Sequence, residues 1–498
     1  MRQNRTILPF AAAALMLAAR LAAQPVPAGR EVEVDHGILT LPTEVVVAGA
    51  ADGGFLGAWV GREGQILARA FTSDGAPRSA GPTVVRPPFG QDPQSGFGAD
   101  PAVAALSGGG YAVAWRNTFI TSSDTFVDNP LSFRLLDAAG QPAGPEIPAD
   151  NDSWAVSLAA TPTGGFVLAW SSSDGVTARR FDAAGAALGD EIHVSDGTWT
   201  SLSVAALPDG GFVITWISGT PDPGNTVQYR VFAADGTPHT PEMPLHVRLE
   251  AGSGLWISAD GAGCFVIAWS EESTLKDKIF ARLFGPDGAP LGPAIEVASQ
   301  RPAANPFVRL NGDVAMRPDG SFLVVWEQSM PTAVLARAYN ADGTPQGEAF
   351  PVPTALGAHF NPDAATAPSG WLVAWTGDHP YVRSFLAADC GGPAGLCLNR
   401  RFRVEAAWRV PSSGAHGTGT PIPRTGDTGV FWFFQPANFE LLVKVLDGRG
   451  INGHFWVFYG SLTNVEFDLT VTDTMTGDQR TYHNPSGTMA SRADTTAF

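Results

Sequence analysis

Pro208-Asp209-Gly210-Gly211-Phe212-Val213-Ile214-Thr215-Trp216 is a tight polar turn that leads into five residues ending in tryptophan. Variants of this stretch occur seven times in the chain of 498 residues, at intervals of 46 to 57 residues. The repeated tryptophans are Trp59, Trp115, Trp170, Trp216, Trp269, Trp326 and Trp375. Self-similarity at such a period predicts a repeat architecture in which each copy is one supersecondary unit.

Each copy reads as four short strands separated by tight turns. In the fourth copy the strands are predicted at 203–207, 212–216, 227–232 and 242–247, with Asp-Gly turns between the outer pairs. The central strands are apolar on both faces, which is typical of a sheet covered on both sides. Seven such sheets packed face to face predict a seven-bladed β-propeller, with a linear solenoid as the alternative.

The two ends of the repeat array favour the propeller. The seventh copy lacks a fourth strand of the usual type, whereas residues 27–34 match the fourth-strand stretches 142–147 and 292–297 of other copies. We therefore expect the N-terminal strand to complete the last blade and to close the ring, which leaves no open end.

The N-terminal residues 1–23 have the pattern of a secretory signal peptide. Arg2 and Arg5 precede an apolar run that ends in small residues. A membrane anchor is the alternative, but the run is shorter than the ~20 apolar residues that a spanning helix needs. The mature chain is thus predicted to have no transmembrane segment and to be secreted or at the cell surface.

The composition limits the fold and the partners. The chain has 57 Gly and 40 Pro with only 16% charged residues, which favours an all-β protein with many tight turns. Hydrophobic residues make up 44% of the chain and argue against general disorder. The formal charge of −17 excludes nucleic acid as an expected partner, because it repels phosphate backbones.

The three cysteines suit an oxidising compartment. Cys390 and Cys397 enclose a Gly/Pro loop that a disulfide could close, and Cys264 is predicted to be a buried thiol inside a strand. Neither Cys-x-x-Cys nor a His pair at ligand spacing accompanies them, so no metal site is expected. We also expect no cofactor.

After Cys397 the repeat stops. The predicted organisation is a signal peptide at 1–23, the propeller at 24–389, a linker loop at 390–397 and a C-terminal β-sandwich domain at 398–498. Strands of this last domain are expected at 401–406, 429–434, 440–445, 454–459 and 465–471. Residues 431–434 place aromatic side chains on both faces of one strand, and we expect one face to be core while the other packs on a neighbour or meets a ligand.

The C-terminal part also carries a resemblance. The stretches 397–399, 431–434, 445–448, 453–460 and 494–498 resemble a C-terminal module that recurs in secreted bacterial proteins. The resemblance implies export and a domain boundary, and it implies no biochemical activity. The repeat part resembles β-propellers in general, but it lacks the Gly-His and Trp-Asp signature of Trp-Asp repeats.

Every copy has an arginine in its third strand, two residues before an aromatic residue or leucine. These are Arg69, Arg134, Arg179, Arg230, Arg282, Arg337 and Arg383. They could form a ring of positive charge for an anionic ligand, or they could contact the repeat tryptophan one strand away or an acid. We favour the structural interpretation, because a feature of every repeat is usually what makes the repeats alike.

The loops between the second and third strands, and those between copies, vary in length and should emerge on one face of the ring. Function is expected on this variable-loop face. Aromatic residues there could stack on sugar rings or could plug the mouth of the ring; they are Phe97, Trp154, Trp199, Trp256, Phe307 and Phe360. Acidic groups there could cleave glycosides, bind Ca²⁺ or be solvated surface, which we favour; they are Asp150 with Asp152, Asp124 with Asp128, Glu271 with Glu272, and Asp378 with His379.

Common catalytic motifs such as Gly-x-Ser-x-Gly and His-Glu-x-x-His do not occur in the sequence. We expect a monomeric, exported binding or interaction protein that takes a carbohydrate or protein ligand on its variable-loop face. The alternative is a carbohydrate-active enzyme, a glycoside hydrolase or lyase, with its site at the mouth of the propeller. A third possibility is a propeller that only spaces a functional C-terminal domain. A deep polar pocket with carboxyl groups of shifted pKa would favour an enzyme, and a broad shallow surface would favour a binding protein.

Overall fold

The computed structural model describes residues 25–27, 31–35, 44–61, 64–73, 75–87, 101–116, 130–196, 201–218, 225–249, 254–271, 276–300, 311–329, 332–353, 359–368, 370–386, 395–399, 401–424, 427–435, 438–474 and 476–498. Within these residues the fold is all-β, with 39 strands and one four-residue helix. This part of the chain has no helix that is long and apolar enough to cross a membrane. The predicted signal peptide at 1–23 lies outside the described residues.

The first two strands are β1 (Val26–Pro27) and β2 (Val32–Glu33). Six antiparallel four-stranded sheets follow, each a meander of consecutive strands. Sheet 1 contains β3 (Val45–Gly49), β4 (Phe55–Val60), β5 (Ile66–Phe71) and β6 (Thr83–Arg86). Sheet 2 contains β7 (Pro101–Ala105), β8 (Tyr111–Arg116), β9 (Leu131–Leu136) and β10 (Ile147–Asp150). Sheet 3 contains β11 (Ala155–Ala160), β12 (Phe166–Ser172), β13 (Gly175–Phe181) and β14 (Ile192–Ser195).

The remaining repeat sheets continue this pattern. Sheet 4 contains β15 (Leu202–Ala206), β16 (Phe212–Ser218), β17 (Asn225–Phe232) and β18 (Met243–Leu249). Sheet 5 contains β19 (Leu255–Ala259), β20 (Phe265–Glu271), β21 (Asp277–Phe284) and β22 (Ile295–Gln300). Sheet 6 contains β23 (Gly312–Met316), β24 (Phe322–Ser329), β25 (Thr332–Tyr339) and β26 (Phe350–Pro351). Sheet 7 contains β27 (Phe360–Ala367), β28 (Gly370–Thr376) and β29 (Pro380–Leu386).

Sheet 7 is completed by the N-terminal segment. Both β1 and β2 pair antiparallel with β29, with Val26 opposite Leu386 and Val32 opposite Val382. The Val34 N–H then donates to the Pro380 carbonyl at 2.9 Å. This is the pairing between the two ends of the repeat array that the sequence predicts.

The contacts between sheets are cyclic. In the described residues, one buried hydrophobic cluster lies between each pair of consecutive sheets, from sheets 1 and 2 through sheets 6 and 7. A further cluster joins sheet 7 to sheet 1 and includes Val34, Val45 and Leu372. The first strands touch in the same order, and β27 contacts β3. A linear row of sheets would hold the first and last sheets apart, so these contacts contradict an open solenoid.

The strands are apolar on both faces because both faces are covered. All seven residues of β16 are buried. Two adjacent residues of β16 belong to different clusters: Val213 packs with sheet 5, and Ile214 packs with sheet 3. A side-chain period of two sends successive residues to opposite faces, which is why a continuous apolar run is needed here.

Two five-stranded antiparallel sheets make up the C-terminal part. One contains β30 (Leu396–Leu398), β31 (Phe402–Val410), β32 (Ala415–Thr418), β37 (Glu466–Asp473) and β38 (Gln479–Asn484). The other contains β33 (Thr420–Pro423), β34 (Thr428–Trp432), β35 (Leu441–Asp447), β36 (Phe455–Ser461) and β39 (Ser491–Asp494), with helix α1 (Arg449–Asn452) before β36. Buried side chains of both sheets form one cluster. The five strands predicted from the sequence are present, shifted by one to four residues at their ends, and five shorter or more polar strands were not predicted.

The aromatic stretch before Gln435 divides as expected. Phe431 and Phe433 are buried in the C-terminal core. Trp432 is half-buried, and Phe434 is 47% exposed and packs on Trp408, with ring centroids 4.7 Å apart.

The cysteines differ in one respect from the expectation. Cys397 is disulfide-bonded, while Cys264 is a free thiol. Cys390 lies outside the described residues, so its pairing with Cys397 stays a prediction. Cys264 precedes β20 and is half-buried rather than lying inside a strand, because its N–H is held in the preceding turn by Asp260 Oδ1 at 2.8 Å.

Candidate functional site

The first strands of the seven sheets line one cavity of about 820 Å³. This volume is in the range of ~300–1,000 Å³ that small-molecule sites occupy. Alanine and valine are the commonest lining residues, and the two tryptophans, two amides and two aspartates lie on sheets 3, 5, 6 and 7, while Glu44 and Arg116 line the cavity from sheets 1 and 2. The cavity is therefore asymmetric although the sheets repeat.

One equivalent position per sheet shows this asymmetry. It lies on the first strand of each sheet and lines the cavity. Its partner on the second strand is the residue immediately before the repeat tryptophan. From sheet 1 to sheet 7 these positions are Val46, Ala102, Ser157, Ser203, Trp256, Asp313 and Asp363. Small side chains occupy sheets 1 to 4, and an aromatic residue and two carboxyl groups occupy the three consecutive sheets 5 to 7.

Asp313 and Asp363 lie at equivalent positions of the neighbouring strands β23 and β27, and both are partly exposed to the cavity. Each also accepts a backbone N–H from the next sheet, Asp313 from Ala364 at 2.8 Å and Asp363 from Val47 at 2.7 Å. Burial raises the pKa of Asp313 to about 7, and burial together with the charge of Asp313 raises the pKa of Asp363 well above its usual range.

Two amides lie beside this pair. Asn311 and Asn361 both line the cavity, and Asn311 Nδ2 donates to Asn361 Oδ1 at 2.7 Å. Asn361 has φ +47° and stands where the register of β27 shifts between Phe360 and Asp363. A bulge with a left-handed residue re-aims side chains, and asparagine tolerates this conformation better than most residues.

Behind the amides lies Glu327, which is 3% exposed. Its Oε2 accepts the Asn361 N–H at 3.4 Å. Burial raises the pKa of Glu327 to about 7. Three carboxyl groups with raised pKa thus lie at the junction of sheets 6 and 7, a feature that is enriched at functional sites. Sequence reasoning missed all three, because the repeat pattern predicts only that these positions belong to strands.

Two of the predicted aromatic residues line the cavity. They are Trp154, whose Nε1 donates to Asp152 Oδ1 at 3.1 Å, and Trp256, which packs against Gly312. Phe360 is half-buried at the start of β27 and is not among the lining residues. Phe97, Trp199 and Phe307 lie outside the described residues.

The predicted acidic groups have internal partners. Asp150 Oδ2 accepts the indole N–H of Trp170 at 2.8 Å, and Asp152 accepts bonds from Trp154 and from Ser173 Oγ. These two carboxylates brace their loop and are not simply solvated surface, because buried or half-buried indole N–H groups need acceptors. Glu271 Oε1 likewise accepts the Trp269 indole N–H at 3.1 Å. The remaining predicted acidic residues lie outside the described residues; they are Asp124, Asp128 and Glu272.

Asp378 and His379 lie in the turn between β28 and β29 and are not among the cavity-lining residues. Asp378 accepts the Tyr381 hydroxyl at 2.7 Å, and this bond lowers the pKa of Asp378. His379 Nδ1 is 3.5 Å from Glu33 Oε1. The turn therefore contacts the N-terminal strand rather than the cavity.

The repeat arginines also differ from the expectation of a tryptophan contact. In five copies the guanidinium lies over the aromatic ring two residues later in its own strand, at 5.6 to 5.9 Å; the five are Arg69, Arg230, Arg282, Arg337 and Arg383. Residues two apart share a face of a strand, which explains this partner.

The same guanidinium groups join neighbouring sheets. Five of them donate to a backbone carbonyl at the outer strand of the preceding sheet: Arg69 to Val34, Arg134 to Val85, Arg230 to Val194, Arg337 to Val297 and Arg383 to Val352. Arg383 and Arg179 also pair with Glu31 and Glu191, at 3.4 and 3.5 Å. Edge carbonyls accept these protons because no further strand pairs with them.

No metal site is visible in the described ranges, where no group of three or more His, Cys, Asp and Glu side chains is placed to hold an ion.

No protein-family model and no curated protein matches the sequence. Among solved structures, AofleA from Arthrobotrys oligospora is 10% identical, with a TM-score of 0.42 over 66% of this chain and 94% of that chain. The polysaccharide lyase Uly1 is 11% identical, with a TM-score of 0.42 over 75% of this chain and 95% of that chain. A fucose-specific lectin from Aleuria aurantia is 11% identical, with a TM-score of 0.39 over 66% of this chain and 99% of that chain.

Proposed function

We propose that residues 24–389 form a seven-bladed β-propeller closed by the N-terminal strand, and that residues 398–498 form a β-sandwich domain. The seven sheets with their cyclic clusters support the first assignment, and the common core of two sheets supports the second. Export rests on the signal-peptide pattern of residues 1–23.

We further propose that the protein, acting as a monomer, binds carbohydrate in the central cavity. One observation carries this proposal: the half-exposed indoles of Trp154 and Trp256 line the same cavity as Asn311, Asn361 and Asp313. Indole faces stack on the apolar faces of sugar rings, and amide and carboxyl groups bond to sugar hydroxyls. A cavity of about 820 Å³ leaves room for a small saccharide.

A glycan-cleaving enzyme is the second candidate, and the raised pKa of Asp313, about 7, favours it because a general acid must hold its proton near neutral pH. Against it, Asp313 Oδ2 and Asp363 Oδ2 each accept a backbone N–H of the next sheet, from Ala364 and Val47. These bonds give both carboxyl groups a structural role between sheets, so binding is the better supported function.

The test is a glycan array probed with the mature chain, residues 24–498, and with four variants. W256A and N361G should each lose at least about tenfold in affinity for a bound glycan, about the factor that one hydrogen bond or aromatic contact supplies. Glycine keeps the positive φ of position 361, so N361G removes the amide without straining the bulge.

W432A is the matched control, because Trp432 is a half-buried tryptophan of the C-terminal sheets. Binding that W432A abolishes and W256A leaves intact would move the function to the C-terminal domain. A chain that binds no glycan would contradict the carbohydrate proposal. Cleavage of the bound glycan by the wild type, lost in D313N, would establish the enzyme instead.

A further inference from the structure

The charged side chains that line the central cavity are mostly acidic. Among the described lining residues, Asp313 on sheet 6, Asp363 on sheet 7 and Glu44 before β3 carry carboxyl groups, and Arg116 on sheet 2 carries a guanidinium group. The three acids belong to consecutive sheets of the cycle, since sheet 7 contacts sheet 1. Glu327 adds a buried carboxyl group behind the cavity amides. A ligand that lies against sheets 6, 7 and 1 therefore faces acids.

The backbone of the cavity wall has used several of its hydrogen-bond donors. Four N–H groups of lining residues donate to a side chain of the preceding sheet at 2.7 to 3.1 Å: Val47 to Asp363, Ala364 to Asp313, Val204 to Ser157 and Met316 to Ser258. An anionic ligand group needs such N–H donors. At these four positions the donors are already occupied by the protein.

The carbonyl groups of the same four residues are placed differently. In an antiparallel strand the N–H and the C=O of one residue point to the same side. These N–H groups point away from the second strand of their own sheet, so the carbonyl groups do the same, on strands that line the cavity. The wall therefore offers a ligand acceptors at positions where its donors are used.

The Trp256 indole lies beside this acidic part of the wall. It packs against Gly312, where a Cβ would come within 3.1 Å of the indole Cη2, and Gly312 is the residue before Asp313 in β23. An aromatic face attracts a cation within about 6 Å of the ring centre, most strongly where water is excluded. The indole and the carboxyl groups thus favour the same sign of ligand charge.

The charges around Asp363 act in the same direction. Burial, followed by the charges of Asp313 and Glu44, raises the pKa of Asp363. A cation beside these acids offsets the repulsion between them, whereas a further anion adds to it. The cavity is therefore suited to a positively charged ligand group and opposes a negatively charged one.

We propose that the carbohydrate bound in the central cavity is an amino sugar, or an oligosaccharide that contains one, and that its protonated amine lies between Asp313, Asp363 and the Trp256 indole. The amine donates hydrogen bonds to the two carboxyl groups. A neutral sugar lacks this charge, and a uronic acid brings a negative charge to an acceptor-rich wall. The inference rests on the proposed carbohydrate function and names the class of its ligand.

The experiment compares three oligosaccharides of equal length by calorimetry with the mature chain at pH 7. They are oligomers of glucosamine, of N-acetylglucosamine and of galacturonic acid. The glucosamine oligomer should bind at least about tenfold more tightly than the N-acetylglucosamine oligomer, since hydrogen bonds to charged groups contribute at least this factor. The galacturonic acid oligomer should bind more weakly than either.

Two variants test the role of the acids. Asp313→Asn and Asp363→Asn each remove a carboxyl group, while the asparagine oxygen can still accept the same backbone N–H. In both variants the ratio of the glucosamine to the N-acetylglucosamine affinity should fall about tenfold, towards one. D478N is the matched control, because Asp478 is an exposed acid of the C-terminal part, and its ratio should equal that of the wild type.

Glu44→Gln provides the same test if neither aspartate variant folds, because Glu44 is exposed at the cavity and its replacement leaves the sheets intact. E44Q should lower the ratio by a smaller factor, and an unchanged ratio in E44Q would then contradict the proposal. Where the aspartate variants fold, an unchanged ratio in both would overturn it, because exclusion of the acetyl group by shape alone gives that result.

The outcomes separate this inference from the proposed function. Equal or tighter binding of the N-acetylglucosamine or galacturonic acid oligomer would overturn the inference and leave the carbohydrate function intact. So would a chain that binds other glycans on the array but not the glucosamine oligomer. A chain that binds no glycan contradicts the proposed function and the inference together.

Discussion

The repeat sheets and the C-terminal sheets use similar strands in opposite ways. In β16 all seven residues are buried, whereas β36 alternates between buried and half-buried positions. The repeat sheets are covered on both faces by their neighbours, and each C-terminal sheet shares its core on one face only. Stability in the repeat part therefore resides in the boundaries between sheets, including the boundary that the N-terminal strand completes.

The two regions also use arginine differently. Arg230 donates to a backbone carbonyl of the preceding sheet at 3.2 Å and lies over Phe232. Arg409, on the C-terminal strand β31, pairs with Glu466 while its side chain is 58% exposed. The first contact joins two sheets, and the second lies on the outer surface of one.

Removal of residues 24–34 should have the largest effect. The deletion takes away β1, β2 and the fully buried Val34, and it leaves β29 as an unpaired edge. We expect the melting temperature to fall by roughly 10 °C or more, measured by calorimetry on chains that start at residue 24 and at residue 35. An equal melting temperature in the two chains would mean that the cyclic contacts contribute nothing to stability.

The second largest effect is expected for alanine substitutions at adjacent positions of one strand, which should reduce stability differently in the repeat sheets and in the C-terminal sheets. V213A and I214A should both lower the free energy of unfolding, by about 1–4 kcal/mol, because both side chains are fully buried. In β35, L441A should cost about 2–4 kcal/mol and L442A less than about 1 kcal/mol, because Leu441 is buried and Leu442 is 42% exposed. Urea titrations measure all four variants. A large loss in only one of V213A and I214A would contradict the burial of both faces of β16.

Replacement of two buried glutamates by glutamine, E327Q and E440Q, should change the stability of the protein in opposite directions. Glu327 has a pKa raised by burial to about 7, so its ionisation costs the wild type about 2–3 kcal/mol of stability as the pH rises from about 4.5 to 8. E327Q should remove that loss and be more stable than the wild type at pH 8. The matched control is E440Q in the C-terminal part, where Glu440 accepts the Phe433 N–H at 2.7 Å and a bond from Asn438.

E440Q should destabilise the protein by about 1–3 kcal/mol, because glutamine keeps one acceptor oxygen for the two donors Phe433 N–H and Asn438 Nδ2 and places an NH2 donor against the other. Chemical denaturation at pH 5 and pH 8 distinguishes the two cases. A pH profile of E327Q that falls as steeply as the wild-type profile would rule out ionisation of Glu327 as the cause.

The smallest loss of stability is expected for the two arginine substitutions, R230A and R409A. R230A should cost about 1–2 kcal/mol, since it leaves the carbonyls of Val194 and Thr240 without this donor. R409A should cost less than about 1 kcal/mol, as exposed ion pairs do. Equal losses in the two variants would show that the guanidinium contacts between sheets have no special weight.

Much of the fold could be predicted from the sequence because the same pattern of turns and strands is repeated along the chain. Seven copies of the turn and tryptophan stretch identify the strands, and the match of residues 27–34 to other fourth strands predicts the pairing with β29. The short strands β32, β33 and β39 were missed because they contain polar residues and prolines and occur once.

The cavity site could be predicted only in part. Trp154 and Trp256 are visible as aromatic residues near loops, but Asp313, Asp363 and Glu327 lie in strands where the sequence favours ordinary sheet positions. Their raised pKa values depend on which sheets are neighbours and on how deeply each carboxyl group is buried. Those facts come from the closed cycle of sheets and not from any local pattern.

Carbohydrate binding in the central cavity can be tested by hydrogen exchange of the mature chain with and without the oligosaccharide that binds it best on the array. We expect protection at 311–316 and 359–367, where the cavity carries its amides and carboxyl groups, and unchanged exchange in the C-terminal sheets. Protection confined to residues 398–498, or to the outer turns of the repeat sheets, would contradict a carbohydrate site in the central cavity.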